Sequence, residues 1–180
     1  MPGQVTISPA TLADAPAIAE IYGEHVIRGT ASFEVAPPGA AEIGARIAKV
    51  LDAGSPWLVA SDGGGDLLGY AYASQLLPRA AYRYTCEDSI YIRRDRIGRG
   101  IGTALLAALI DAASASGFRQ MVALIAGTEP ASVALHVRAG FAEAGRWRSV
   151  GRKQGQWIDV LQMQRALGEG DVSPPGEEPA

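Results

Sequence analysis

A glycine-rich turn surrounded by arginines is the first part of this sequence with the chemistry of a binding site. Gly98-Arg-Gly-Ile-Gly102 follows a strand-like stretch and precedes a leucine-rich stretch typical of a helix. Glycine lets the backbone approach a ligand closely, and a helix N-terminus offers unpaired N–H groups and partial positive charge to a phosphate. The nearby arginines are Arg93, Arg94, Arg96 and Arg99. The turn indicates either a phosphate site or an ordinary strand-to-helix turn beside solvated charges.

The common phosphate-binding patterns do not fit this turn. Counted from Gly98, the last glycine of a GxGxxG motif is replaced by Thr103, and the Gly-Lys-Ser/Thr of a P-loop does not follow. The repeated βαβ order of a dinucleotide-binding domain is also missing. If the turn binds phosphate, it does so in another way.

Two adjacent carboxylates, Glu87 and Asp88, lie in the strand-like stretch before the turn. Strand alternation puts Glu87 on one face with Thr85 and Tyr91, and Asp88 on the other, unless a bulge changes the phase. A carboxylate there could remove the proton from an amine, which is largely protonated at neutral pH. From the residues alone the two acids are equal candidates, and both could simply be solvated or ion-paired.

Histidine and cysteine are scarce in this chain. His25 and His136 lie far apart in sequence, and no CxxC or HExxH motif is present, so no metal site is predicted. The single cysteine, Cys86, excludes an internal disulfide and is typical of a reducing compartment. We expect it to be buried rather than nucleophilic, because its acidic neighbours disfavour the thiolate.

Two arginines, Arg79 and Arg83, flank Tyr82 just before the strand that carries Glu87. Arginine pairs with a carboxylate through two parallel hydrogen bonds, so this segment could read the carboxylate of a small amino acid. The alternative is a surface loop with two solvated arginines.

Length and composition favour one soluble, cytoplasmic domain. The chain has 180 residues, 48% of them hydrophobic, which is too apolar and too weakly charged for a disordered protein. The longest apolar run, 104–110, is far shorter than the roughly 20 residues that span a bilayer. Four acids and no basic residue follow Arg165, and the remainder has 16 basic and 15 acidic residues. We therefore expect no nucleic-acid partner and no membrane association.

Hydrophobic periodicity predicts a mixed order of strands and helices. The predicted strands are 5–7, 57–60, 67–73, 84–92, 121–126, 141–150 and 157–164. The predicted helices are 11–26, 40–51, 103–116 and 130–139. The sequence favours one domain over residues 1–168, and the acidic, Pro- and Gly-rich tail 169–180 is predicted to be disordered.

Several segments together resemble the GNAT N-acetyltransferase superfamily. Arg99-Gly-Ile-Gly102 with the helix behind it resembles the acyl-CoA pyrophosphate loop, and Ser132-Val-Ala-Leu-His136 before Gly140-Phe141 resembles a later motif. Three more segments are similar to the phosphinothricin and methionine sulfone/sulfoximine acetyltransferase subfamily. These are Thr30-Ala-Ser-Phe-Glu34, the stretch from Arg79 through Glu87 to Ile92, and Lys153-Gln-Gly-Gln-Trp-Ile-Asp159.

The resemblance implies an α+β fold of the GNAT acyl-CoA N-acyltransferase type. Its sheet is mixed, mostly antiparallel, flanked by helices and split between the strands at 84–92 and 121–126. Acetyl-CoA is the implied co-substrate, bound in the split without a metal. The implied cofactor-binding residues are Ile90, Tyr91, Ile92, Gly98, Arg99, Gly100, Ile101, Gly102, Thr103, Glu129 and Ser132.

The resemblance also assigns the acid–base roles. Glu87 matches the family's catalytic carboxylate and is preferred over Asp88. His136 stands where many members have a tyrosine near the CoA sulfur. It would either protonate the departing thiolate or only hydrogen-bond the cofactor or a helix neighbour. The implied substrate-binding residues are Phe33, Glu34, Arg79, Arg83, Tyr84 and Thr85.

Two positions depart from the family pattern. Ile97 stands where Gln or Arg is usual, and we expect this change to be tolerated because backbone N–H groups do most of the phosphate binding. Glu129 stands where Asn usually helps to hold the pantetheine arm. An ionised carboxylate accepts but does not donate hydrogen bonds, so this change bears on CoA affinity or arm position.

The implied function is transfer of an acetyl group from acetyl-CoA to the α-amine of a small amino-acid-like substrate. That substrate would be of the phosphinothricin, methionine sulfone or methionine sulfoximine type. The alternatives are a peptide, polyamine or antibiotic amine as acceptor, or a sensor that binds acetyl-CoA without turnover. Members of the family are commonly dimers, so a homodimer is expected.

Overall fold

The computed structural model describes residues 5–177, which form seven strands and four α-helices. The strands are β1 (Thr6–Pro9), β2 (Trp57–Ser61), β3 (Leu67–Gln75), β4 (Thr85–Ile92), β5 (Gln120–Ala126), β6 (Ala142–Lys153) and β7 (Gln156–Ala166). The helices are α1 (Ala15–Arg28), α2 (Ala40–Asp52), α3 (Ile101–Ala115) and α4 (Pro130–Arg138). Every predicted element is present, and the boundaries differ by a few residues.

All seven strands join one sheet in the order β1-β2-β3-β4-β5-β7-β6. Every neighbouring pair is antiparallel except β4 and β5, which run parallel. This parallel pairing joins only Thr85–Asp88 to Gln120–Ala123, after which the two strands separate. The predicted mixed sheet, split between these two strands, is therefore confirmed.

The helices cover both faces of the sheet. Helix α3 packs its leucines, such as Leu105 and Leu109, against Met121 on one face. Helices α1 and α2 pack on the other face, where Ile43 and Ile47 lie one helical turn apart and meet the aromatic residues of β2 and β3. None of the helices within residues 5–177 is long and apolar enough to cross a membrane.

The C-terminal segment, which the sequence predicts to be disordered, lies against the beginning of β5. The guanidinium of Arg119 donates to the carbonyl of Ser173 at 2.8 Å and contacts the carboxylate of Glu169 at 3.3 Å. The backbone carbonyl of Glu177 accepts a hydrogen bond from the hydroxyl of Tyr84. Through these contacts residues 169–177 run along the end of the sheet opposite the split.

Candidate active site

Glu87 is the third residue of β4 and precedes Asp88, the last residue of this strand that pairs with β5. The β3–β4 register runs without a bulge from Gly69 opposite Ile92 to Gln75 opposite Cys86, so the predicted alternation is confirmed. Half-buried Glu87 thus shares the α1/α2 face of the sheet with Tyr91, whose ring packs in the core on that side.

The environment of Glu87 suits a proton acceptor at neutral pH. Burial, followed by the negative charge of Asp88, raises the pKa of Glu87 to about 7. A general base acts best when its pKa lies near the working pH. A carboxyl group with this pKa can both accept and release a proton near neutral pH.

Asp88 points to the opposite face and is bound to His136. Its Oδ2 accepts a hydrogen bond from Nε2 of His136 at 3.1 Å, and the two side chains are 1% and 2% exposed. Nδ1 of the same ring donates to the backbone carbonyl of Ser132 at 2.7 Å. Asp88 is therefore engaged in a buried pair, whereas Glu87 has no such partner within residues 5–177. Of the two adjacent acids, Glu87 is therefore the one whose carboxylate is not held by another side chain of the described residues.

Both nitrogens of His136 are occupied by acceptors. Burial alone would lower the pKa of His136, but the hydrogen bond and charge of Asp88 outweigh it and the pKa is raised. Of the expected roles, the structure shows the hydrogen bond to a helix neighbour, Ser132. Burial, with the charge of Asp88, also raises the pKa of Cys86 to about 12, which makes a nucleophilic thiolate unfavourable.

The split leaves one edge of β4 open for a cofactor. Beyond Asp88, the backbone of Ile90, Tyr91 and Ile92 pairs only with β3. An extended amide-bearing chain can hydrogen-bond to such an unpaired strand edge. The carbonyl of Ile92 is already taken, because it lies 2.8 Å from Nε2 of His25. The ring of Tyr91 is turned into the core, so the backbone of this residue, and not its side chain, is available to a ligand at this edge.

The glycine-rich turn forms the start of α3 beside this open edge. Gly98 and Gly100 have φ values of +80° and +81°, a left-handed conformation that favours glycine. The helix starts at Ile101, two residues earlier than predicted, and the first intrahelical acceptor is Gly100, bonded to Ala104 at 3.1 Å. The N–H groups of residues 101–103 therefore precede the first intrahelical bond. Thr103 is exposed beside them.

The arginines of the turn are not all free. Arg93 contacts the carboxylate of Asp95 at 2.7 Å, and Arg96 lies 3.5 Å from the same group. Arg99 is exposed and forms no ion pair within residues 5–177. On the other side of the split, Glu129 is the exposed N-cap of α4, one turn before Ser132.

The predicted acceptor loop with Phe33 and Glu34 is held by several hydrogen bonds. The carboxylate of Glu34 accepts from Arg46 at 2.6 Å and from the hydroxyl of Tyr22 at 2.9 Å. Lys153 of β6 donates to the carbonyl of Ser32 at 2.7 Å. Glu34 therefore organises the loop, while Phe33, 44% exposed, is the side chain available to a ligand.

The structure does not bring all predicted substrate residues to Glu87. Arg83 stacks over Tyr84 and lies 3.6 Å from the carboxylate of Glu177. Tyr84 itself lines a cavity of about 350 Å³ beneath the C-terminal segment. Of the predicted acceptor residues near the start of the strand, Thr85 shares the face of Glu87 by alternation.

Arg79 remains available in the loop between β3 and β4. Its backbone carbonyl accepts from Nε2 of Gln75 at 2.9 Å, which holds the residue near the end of β3. Its exposed side chain forms no ion pair with another residue of the 5–177 range. Ser74, the cross-strand partner of Glu87, adjoins Gln75.

Sequence reasoning missed Tyr72, which lies opposite Ser89 and therefore diagonal to Glu87 on the same face. Its ring stacks on Trp57 with centroids 4.2 Å apart. Alternation along the predicted β3 segment could have placed Tyr72 on one face of the sheet. Its position next to Glu87 becomes clear only once the register between β3 and β4 is known. Within residues 5–177 no group of three or more His, Cys, Asp or Glu side chains could hold a metal ion.

Comparison with known proteins decides the family. The sequence profile of the acetyltransferase (GNAT) domain matches residues 7–162. The chain belongs to the GNAT acetyltransferase family. This acetyltransferase is 52% identical over 163 residues to the phosphinothricin N-acetyltransferase of Alcaligenes faecalis, covering 90% of this chain and 82% of that protein.

Two further relatives agree with this assignment. The acetyltransferase is 41% identical over 162 residues to the L-methionine sulfoximine/L-methionine sulfone acetyltransferase of Pseudomonas paraeruginosa, covering 90% of this chain and 94% of that protein. It also matches the crystal structure of a GNAT superfamily phosphinothricin acetyltransferase from Sinorhizobium meliloti in complex with acetyl-CoA. The TM-score is 0.94 at 45% identity, over 96% of this chain and 94% of that one. The family and fold expected from the sequence are thus confirmed.

Proposed function

We propose that this acetyltransferase moves the acetyl group of acetyl-CoA to the α-amine of a small amino-acid-like substrate. Phosphinothricin, methionine sulfone and methionine sulfoximine are the substrate types that the names of the relatives supply. The observation that carries the proposal is Glu87, a half-buried carboxylate with a pKa of about 7 at the edge of the split in the sheet.

We propose that acetyl-CoA lies in the split between β4 and β5. Support comes from the open backbone edge at Ile90–Ile92 and from the N–H groups at the start of α3. The pantetheine amides would pair with the strand edge, and the pyrophosphate would rest on residues 98–103. Arg99, Glu129 and Ser132 would complete the cofactor contacts from either side.

In the proposed reaction Glu87 accepts one proton from the ammonium group of the acceptor, directly or through water. The neutral nitrogen attacks the thioester carbonyl, and backbone N–H groups of the strand stabilise the tetrahedral oxyanion. The C–S bond then breaks and its electron pair goes to sulfur. The second proton of the product nitrogen passes through water to the general acid, and that acid gives a proton to the thiolate. His136 is the proposed source of that proton, and Asp88 supports the role because its hydrogen bond and charge raise the pKa of the imidazole.

We propose that the acceptor is held on the α1/α2 face of the sheet. Phe33 would form an apolar wall, with Glu34 holding its loop, and Thr85 would adjoin the base. An arginine beside the strand, Arg79 or Arg83, would pair with the α-carboxylate. The free guanidinium of Arg79 favours it, because Arg83 already contacts Glu177.

A panel of amines tests the proposal through release of the CoA thiol. We expect acetylation of methionine sulfone, methionine sulfoximine and phosphinothricin, and little release with peptides, polyamines or aminoglycosides. Preference for one of the latter amines would change the acceptor class. Tight acetyl-CoA binding with no turnover on any amine would instead indicate a sensor.

We further propose a cytoplasmic homodimer. The hairpin of β6 and β7 exposes Trp147, Val150 and Trp157, apolar side chains of the kind that subunit contacts bury. The single free cysteine is typical of a reducing compartment. Light scattering after gel filtration tests the dimer, since a Trp157→Lys variant should elute as a monomer, and cell fractionation tests the compartment.

A further inference from the structure

We propose that Asp88 is a positioning residue of the acetyl transfer. By binding the His136 imidazole, it holds helix α4 against strand β4 at the point where β4 leaves β5. The inference rests on the proposed function, because it takes this fork as the place where the thioester binds. It gives a role to the second of the two adjacent acids, which the reaction itself does not need as a base.

The position of Asp88 in the sheet is the first support. Asp88, opposite Ala123, is the last residue of β4 that pairs with β5. A shift of the Asp88 side chain would therefore affect the sheet at the position where β4 and β5 begin to separate. The side chain is 1% exposed, so the bond to His136 is shielded from water, which strengthens it relative to a surface pair.

The attachment of α4 is the second support. Within residues 5–177, the bond between Asp88 and His136 is the one side-chain hydrogen bond that joins α4 to β4. The helix carries Ser132 and begins after Glu129, two of the proposed cofactor residues. Loosening this bond would therefore shift groups expected to contact acetyl-CoA.

The hydrogen-bond pattern around His136 is the third support. A carbonyl accepts only, so Nδ1 must carry a proton to bond with Ser132 at 2.7 Å. Nε2 must also carry a proton if the carboxylate of Asp88 is ionised. The pair then consists of an imidazolium and a carboxylate. Its other neighbours are Cys86 and Glu87 on β4 and the ring of Phe141, whose centroid lies 5.0 Å from that of His136.

One oxygen of Asp88 remains unsatisfied. Within the described part of the chain, Oδ1 is buried and has no hydrogen-bond partner. A buried carboxylate oxygen without a donor is costly, and in a folded protein such a group calls for an explanation. This favours a functional reason for an acid at position 88 over simple packing.

Protonation of His136 is the first test, since it needs neither an acceptor nor turnover. The chain has two histidines, so nitrogen-15 histidine spectra contain only His25 and His136, and His136→Asn assigns them. Near neutral pH we expect both ring nitrogens of His136 to carry protons in the wild type, and only Nδ1 in Asp88→Asn. Identical titration of His136 in both proteins would overturn the proposal, because it would mean that Asp88 does not bind the imidazole.

The second test separates the bond from its charge. Asp88→Asn can still donate to a neutral imidazole, so acetyl-CoA affinity should stay within about threefold of wild type. Asp88→Ala removes the bond and should weaken acetyl-CoA binding and lower kcat/KM by about 10- to 100-fold. The acidic limb of the pH profile should move to lower pH in Asp88→Asn, because Glu87 loses its negative neighbour.

The exposed Asp52, at the end of α2, provides the matched control, and Asp52→Asn should change none of these quantities. A folded Asp88→Ala protein with wild-type acetyl-CoA affinity would refute the positioning role. If Asp88→Ala does not fold, the histidine spectra and pH profile of Asp88→Asn decide. The histidine spectra and the acetyl-CoA titrations need no acceptor amine. They therefore test the role of Asp88 even if the enzyme does not acetylate the proposed substrates.

Discussion

The ring of Phe33 lies directly over the backbone of Gly151. A Cβ built at Gly151 would be 2.1 Å from a ring carbon, far inside van der Waals contact, so residue 151 has to be glycine for the ring to stay where it is. The β6–β7 hairpin thus sets the position of the acceptor loop, together with the bond from Lys153 to the carbonyl of Ser32. Two segments distant in sequence form one wall of the candidate acceptor site.

Gly151→Ala should therefore impair use of the acceptor without affecting the cofactor. Displacing Phe33 misplaces a substrate contact, and we expect kcat/KM for methionine sulfone to fall by about 10- to 100-fold. Acetyl-CoA affinity by calorimetry should not change. Gly39→Ala is the control, since a Cβ there meets nothing within 4 Å. Equal activity of both variants would remove Phe33 from the site.

Glu87→Gln should remove proton acceptance while keeping size and polarity. Turnover should fall by about 10² to 10⁴, with little change in acetyl-CoA affinity. Because burial and Asp88 raise the pKa of Glu87 to about 7, wild-type kcat/KM should fall as the pH drops below that value. The variant should lack this acidic limb.

The exposed Glu143 on β6 supplies the control, and Glu143→Gln should retain the wild-type profile. Steady-state CoA release measured across pH distinguishes the outcomes. An unchanged acidic limb in Glu87→Gln would mean that another group accepts the proton.

Gly102→Ala tests the proposed pyrophosphate site with little risk to the fold. Gly102 is helical, and the atoms nearest to an added Cβ belong to Leu135 and Ile92 at 3.5 Å or more, an ordinary packing distance. The added methyl group should instead obstruct the phosphate, and we expect acetyl-CoA affinity to fall at least about tenfold. Helical Gly44 in α2, with a nearest contact of 3.8 Å, is the matched control. Calorimetry with equal affinities for both alanine variants would exclude this site.

Arg79→Ala should raise KM for free amino acids. Loss of a charge-assisted pair costs roughly 1.5 to 3 kcal/mol, which corresponds to about 10- to 100-fold in affinity. Arg83→Ala removes the same charge from the same loop and should have a much smaller effect, because Arg83 contacts Glu177 and Tyr84.

The amide of methionine sulfone tests the same contact from the ligand side. Amidation and Arg79→Ala should together cost little more than either change alone, since both remove one interaction. If wild type uses the acid and the amide equally well, neither arginine reads the carboxylate. If Arg83→Ala raises KM more than Arg79→Ala does, Arg83 binds the carboxylate. Its contact with Glu177 must then break when the substrate binds.

The elements themselves could be predicted from the sequence because their signals are local. The spacing of Ile43, Ile47 and Val50 marks the buried face of α2, and alternation along β4 separates Glu87 from Asp88. The glycines before α3 likewise predict the turn that precedes this helix. Helix α3 starts at Ile101 rather than at residue 103, and β6 ends at Lys153 rather than at residue 150. Helix starts and strand ends depend on neighbouring elements as well as on the residues themselves.

Tertiary structure decided which charged residues are free. Alternation separates Glu87 from Asp88, but only packing of α4 shows that Asp88 is bound to His136. In the same way, Arg46 and Tyr22 occupy Glu34, and the C-terminal segment occupies Arg83. The sequence by itself determined the periodic elements, the family and the set of candidate side chains. Their partners come from segments far apart in the chain, whose meeting depends on sheet register and helix packing, and no local pattern encodes either.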